Sequence, residues 1–174
     1  MTDATRFFED VALEYDLVAL TKGPLTPMHL MRWSAAIENW HRIHYDRDFA
    51  IHHDKLQDLL VNGSLKQQFL TQLIKDFAGT TGFIWKVSFQ FRAMDKVGTT
   101  LTIWGRVTGL RKSAAFGLVD LETGIRNEAG VETAPGTATV ALPFRDGPAL
   151  PYPFTPPEPD EIEIVAVSES GDKK

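Results

Sequence analysis

Asn62-Gly-Ser-Leu-Lys-Gln-Gln-Phe-Leu-Thr-Gln-Leu-Ile-Lys-Asp-Phe-Ala-Gly79 is followed closely by Trp85-Lys-Val-Ser-Phe-Gln-Phe-Arg92. The change of hydrophobic period between these stretches decides the fold. Leu65, Phe69, Leu73 and Phe77 recur every four residues, with Leu70 and Ile74 beside them, which is the apolar stripe of an amphipathic helix. Ser64 reads as its cap, Gln67 as the third-residue partner of a capping box, and Gly79 as its C-terminal stop. In the second stretch Trp85, Val87, Phe89 and Phe91 alternate with polar residues, the period of a half-buried strand. Further strands are expected at 99–108, 116–122 and 136–142, separated by segments containing Gly124, Gly130 and Pro135. Short strands with such connections form an antiparallel sheet. A long helix with one apolar stripe needs a surface to cover, so the expected class is α+β with the helix on the sheet.

Working outward toward the N-terminus, Thr26 and Pro27 suit the cap and first position of a helix over 27–38. Residues 7–20 read as short strands around a turn. Residues 39–62 hold four of the five histidines without a sustained period, an irregular segment with one short helix expected near 54–60. Toward the C-terminus the composition changes at Asp146. Six prolines between Pro148 and Pro159 precede an acidic end, so 148–174 reads as an extended or disordered tail after a single domain over 1–147. Ile162–Val167 could add an edge strand.

Composition narrows the function. With 43% hydrophobic and 24% charged residues, the chain is an ordinary globular protein. A net charge of −5 with scattered Lys and Arg argues against nucleic acid as a partner. No stretch approaches the ~20 apolar residues that cross a bilayer, and no secretory leader is visible, so a cytoplasmic location is expected. The absence of cysteine removes thiolate nucleophiles and Cys-ligated zinc. His52-His53-Asp54 and the His41/His44 pair lack further spaced ligands, so neither metal nor cofactor is expected.

The chemistry gathers in Glu38-Asn-Trp-His-Arg-Ile-His-Tyr-Asp-Arg-Asp48, some twenty residues ahead of the Gly63 helix start. A helix N-terminus offers unpaired N–H groups to an oxygen that gains negative charge. Trp40 to Ala50, followed by Val61-Asn-Gly-Ser-Leu65, resembles the MaoC-like (R)-specific enoyl-CoA hydratase/dehydratase pattern, Gly-Asp-x-Asn-Pro-Ile-His-x5-Ala and then a His-Gly or Asn-Gly step. Ile43, His44, Ala50 and Gly63 fall at the matching positions. Phe8-Glu-Asp-Val11, Phe89-Gln-Phe-Arg92 and Gly98-Thr-Thr-Leu101 extend the likeness over roughly 7–143. The His-Arg-Ile-His-Tyr-Asp form resembles a subset that includes fumaryl-type CoA hydratases and subunits of heteromeric steroid-CoA hydratases.

The resemblance implies a hotdog fold, an antiparallel sheet wrapped around a long central helix, paired as a homodimer or as a heteromer with another hotdog subunit. It implies water addition to, or removal from, a 2-enoyl-CoA thioester. His44 is then the catalytic histidine and the Gly63 N–H the oxyanion donor. The family's aspartate is Asn39 here and the glycine before it is Glu38. Asn cannot serve as a general base. Either His44 is the base with Asn39 orienting the water, or Glu38 or Asp46 supplies a carboxylate, or a partner subunit completes the site. Ser64 and Tyr45 are candidates for substrate contact. Arg111 and Lys112 are candidates for the phosphates of coenzyme A, although a solvated hairpin turn explains them as well. A hotdog thioesterase is the further alternative, because a fold does not fix its chemistry.

Overall fold

The computed structural model of the chain describes residues 5–168. Its elements are β1 (Leu20–Lys22), α1 (Pro27–Ala36), α2 (Gly63–Ala78), β2 (Phe83–Phe89), β3 (Leu101–Lys112), β4 (Phe116–Asn127), β5 (Gly136–Pro143) and β6 (Glu163–Val167). The strands make one antiparallel sheet in the order β1-β3-β4-β5-β2, and β6 adds to the far end of β3. The sheet wraps α2, which confirms the α+β hotdog expectation. Among the described residues, no helix is long and apolar enough to cross a membrane.

Strand alternation builds the core. Leu101, Ile103 and Val107 of β3, Val119, Leu121 and Ile125 of β4, and Val140 and Leu142 of β5 form one cluster with Leu65, Leu70, Leu73, Ile74 and Phe77 of α2. Burying each such side chain contributes about 1.5–3 kcal/mol. The opposite face of the sheet carries a smaller cluster, Phe116, Leu118 and Ala141, against which Trp85, Leu150, Phe154 and Ile162 pack. The proline-rich segment is therefore extended along the outer face, with the Phe154 ring stacked 4.5 Å from Phe83. Within the run Ile162–Val167, Glu163–Val167 forms β6, as the sequence allows; residues 169–174 lie outside the described residues.

Several local expectations are corrected. The N-cap of α2 is Asn62, and Ser64 lies inside the helix. The buried stripe of α2 also takes in Lys66 and leaves Phe69 only partly covered, rotated from the expected one. A register shift between Ile84 and Lys86 breaks the alternation of β2, sending Ile84 and Phe89 to the main core and Trp85 to the outer cluster. Arg111 and Lys112 are paired strand residues of β3, not a hairpin turn. No helix forms over 54–60, because Leu59 and Leu60 spend their backbone groups elsewhere. The Leu59 carbonyl accepts from Val97 N–H at 2.9 Å, and Leu60 N–H donates to Ile43 at 3.0 Å. A π-type turn stands at Phe49–His53 instead. In 7–20, Phe8–Asp10 is a 3₁₀ turn, while residues 14–17 bond to the edge of β3 without forming a full strand.

One buried ion pair ties these parts together at the start of α2. Lys66 Nζ donates to Asp95 Oδ2 at 2.7 Å, with the two side chains 2% and 0% exposed. It also donates to the carbonyls of Ala93 at 3.1 Å and Thr133 at 3.4 Å. The pair anchors the 90–98 segment between α2 and the end of β4. Asp95→Asn leaves the ammonium buried without its counter-charge and should cost about 3–5 kcal/mol in urea unfolding, with Lys66→Met on top recovering at least half. A loss below about 1 kcal/mol, the scale of an exposed pair, would contradict this role.

Candidate active site

The site is assembled from the turn after α1 and the N-terminus of α2. Glu38 follows α1 with φ +54, a left-handed residue that reverses the chain. This backbone requirement accounts for the glycine that the resembling pattern carries there. Asn39 N–H donates to the Ser34 carbonyl at 2.9 Å, and Asn39 Oδ1 accepts from His41 N–H at 3.2 Å, which shapes the next turn. Arg42–His44 is a 3₁₀ turn that delivers the His44 ring inward, where the residue is 6% exposed.

His44 Nδ1 lies 2.8 Å from the Leu60 carbonyl oxygen. A carbonyl only accepts, so Nδ1 carries the proton and Nε2 presents a lone pair. Burial disfavours the imidazolium and pulls the pKa below its ordinary 6.5; the Leu60 carbonyl opposes this, and His41 adds a smaller downward push. The ring is thus held as a neutral base with a defined tautomer. Leu60 lies two residues before the N-cap of α2, so the same bond fastens the histidine turn to the helix start.

The possible carboxylates stand differently. Asp46 Oδ1 accepts from Phe49 N–H at 3.0 Å, and Oδ2 takes both Arg42 Nε at 3.0 Å and Nη2 at 2.6 Å. Those donors, the Phe49 amide first, hold its carboxyl below the usual range. Both oxygens are engaged in shaping the turn. Glu38 is exposed. Tyr45 Oη donates to the Trp40 carbonyl at 2.7 Å and braces the same turn. His53 pairs with Asp54 at 2.7 Å, and no group of three metal-binding side chains gathers among the described residues.

At the helix start, Gly63 is the first residue of α2, so its N–H has no carbonyl within the helix to reach. A side chain at 63 would meet the Phe91 ring at 2.9 Å, so glycine is what lets Phe91 lie against this turn. Ser64 Oγ accepts from Trp33 Nε1 at 2.9 Å, linking α1 to α2. Asn39, His44, Gly63 and Ser64 therefore belong to one connected cluster. Arg111 and Lys112 do not. They lie about ten residues further along β3 than Leu101, roughly 33 Å at strand rise. Arg111 is bidentate to Asp120 at 2.6–2.7 Å, and Lys112 pairs with Glu163 at 3.2 Å.

Three contributions escaped the sequence reading: the full burial of Ser34, that of Asn62, and the Lys66–Asp95 pair. Lys66 alone left a signal, four residues ahead of Leu70 on the stripe continued by Leu73 and Phe77. Ser34 and Asn62 are short polar residues whose burial no spacing reveals.

Residues 14–99, which contain the whole cluster, match the model of hydroxyacyl-thioester dehydratase type 2. The fold is similar to the (R)-hydratase from A. caviae involved in PHA biosynthesis, at 23% identity and TM-score 0.69 over 78% of this chain and 99% of that one. It is similar to the R-hydratase PhaJ1 from Pseudomonas aeruginosa, at 16% identity and TM-score 0.70 over 87% and 94% of the two chains. The ChsH1-ChsH2 complex from Mycobacterium tuberculosis matches at 20% identity and TM-score 0.67, over 75% of this chain and 98% of that one. No curated protein sequence matches the chain. The helix-wrapped sheet has the fold of these (R)-hydratases, and the histidine turn and helix start lie within the segment that matches the hydroxyacyl-thioester dehydratases, so the chain resembles the MaoC-like hotdog family.

Proposed function

We propose that this protein adds water to, or removes it from, the double bond of a 2-enoyl-CoA thioester, with His44 as general base. The observation that carries the reading is the His44–Leu60 bond, which assigns the proton to Nδ1, leaves Nε2 free to accept one, and ties the ring to a residue two before the α2 N-cap. In the hydration direction, the thioester carbonyl accepts from the Gly63 N–H while water attacks the β-carbon. Nε2 takes the water proton, and the double-bond electrons move toward the carbonyl oxygen, giving an enolate. The imidazolium then returns its proton to the α-carbon, so one water is added with no net change to the enzyme. Asn39 orients the water. Asp46, already held by Arg42 and the Phe49 amide, serves the turn rather than the reaction.

A second reading has its own support. Asn39 stands where the family pattern has aspartate, and two similar structures are complexes of distinct subunits, ChsH1-ChsH2 and HadBC, both from Mycobacterium tuberculosis. In that reading a hotdog partner completes the water-activating group.

His44→Ala should abolish hydration of crotonyl-CoA and larger enoyl-CoA esters, a loss of at least about 10²-fold, while the fold is kept by circular dichroism. Undiminished turnover would reject His44. Asn39→Ala should lower kcat about 10-fold if the chain acts alone. Should the wild type turn over none of these esters until a second hotdog subunit is added, the partner-dependent reading replaces it.

The pH dependence follows from the lowered pKa of His44. The base must be neutral, so kcat/KM should rise with pH and level off below 6.5, the ordinary histidine value. Stability has the same sign. Between the folded and unfolded pKa values the unfolded chain binds more protons, so stability falls as pH drops from about 6.5 through the folded value. His44→Gln should flatten that acid-side slope in urea titrations; an unchanged slope would contradict the assignment.

A further inference from the structure

Asn62 occupies the N-cap of α2, yet its side chain does not cap the helix. An N-cap asparagine ordinarily turns its oxygen onto the N–H of the second or third helical residue. Here the carboxamide is directed to Ser34: Nδ2 lies 3.0 Å from Ser34 Oγ. Asn62 Oδ1 is buried without a hydrogen-bond partner, and both residues are 0% exposed. Exchanging the two ends of the carboxamide leaves the group facing Ser34 and still absent from the cap. Leaving a buried oxygen unsatisfied is destabilising, so this arrangement is not the one that stability alone would choose.

The consequence appears in the first turn. The ladder of α2 begins with Leu65 N–H and Lys66 N–H, which donate to the Asn62 carbonyl at 3.1 and 3.2 Å. The N–H groups of Gly63 and Ser64 lie ahead of it, with no acceptor among the described residues. Ser34 is also the residue whose carbonyl receives Asn39 N–H at 2.9 Å. One buried serine therefore holds the asparagine away from the helix end and anchors the turn that begins at Asn39.

We infer that Ser34 and Asn62 are positioning residues: the buried Ser34–Asn62 bond keeps the N-cap vacant, so that the Ser64 N–H stays open, next to the Gly63 N–H, to a substrate's carbonyl oxygen. The inference rests on the thioester reading above for the identity of that oxygen, but the vacant cap itself is a property of the free protein. Asn62→Asp tests it with little change of shape. A carboxylate is drawn to the positive end of the helix and should swing onto the Ser64 and Leu65 amides. Ser34→Ala frees the asparagine to make the same move.

Amide hydrogen exchange by NMR reads the cap directly. In the wild type the Gly63 and Ser64 amides should exchange freely, and in Asn62→Asp the Ser64 amide should slow at least about 10-fold with Tm unchanged or raised. In turnover of crotonyl-CoA, kcat should fall about 10² to 10³-fold with KM held within about 2-fold, the loss expected when one of two oxyanion donors, the Ser64 N–H, is removed. A purely structural role would instead lower Tm and activity together. A protected Ser64 amide in the wild type, or full activity in Asn62→Asp, overturns the inference. If the exchange pattern holds and no enoyl thioester is turned over, the vacant cap stands and the assigned reaction fails.

Discussion

His44 donates from Nδ1 to the carbonyl of Leu60 across 2.8 Å, and the organisation of the site depends on that bond. Leu60 belongs to the strand-like approach to α2, where its N–H reaches back to Ile43 at 3.0 Å and Val61 N–H reaches the Asp95 carbonyl at 2.8 Å. The imidazole is therefore fixed by backbone rather than by another titratable side chain. A backbone acceptor fixes the tautomer without lending a charge, so burial governs the protonation balance and holds the ring neutral. The same contact sets the histidine turn at the helix end where N–H groups are available. In the proposed reaction, base and electrophilic end are thereby positioned together.

The rest of the fold supports that meeting point. The sheet packs along α2 through Leu101, Ile103, Leu121, Ile125 and Val140, which fixes the direction of the helix. Lys66 and Asp95 pin the 90–98 segment beside the first turn of α2, and Phe91 rests on Gly63 from that segment. Trp33 and Ser34 brace α1 against Ser64 and Asn62 from the other side. Polar groups buried at the helix start are thus spent on alignment, while aliphatic packing along the remaining turns supplies the stability.

The sequence made the architecture readable because its periods are long. Sixteen residues of α2 and the alternating strands each carry enough repeats to identify themselves. Where a period was interrupted the reading slipped: the register shift at Ile84/Lys86 moved Trp85 to the outer face, and Lys66 replaced Phe69 on the buried stripe. The short helix expected at 54–60 failed because the backbone there satisfies tertiary partners, which no local propensity encodes. For the site, the motif singles out His44 and Gly63 as candidates, and Asp46 only as a carboxylate of unspecified use. Its engagement by Arg42 and the Phe49 amide is a matter of geometry. Arg111 and Lys112 read from the sequence as a solvated hairpin turn or as candidates for phosphate contact; they stand in β3 and are held in ion pairs. Asn62 was legible as part of the helix start but not as a buried group, and Ser34 left no sequence signal, because a buried serine and an exposed one are written alike.

The most direct measurement is the ¹⁵N NMR spectrum of the His44 imidazole, with a pH titration of its ring resonances. The expected result is a neutral ring at pH 7, protonated at Nδ1 and bare at Nε2, that titrates below the ordinary value of 6.5. An Nε2–H tautomer, or a ring still protonated at pH 7, would contradict a Leu60-oriented base.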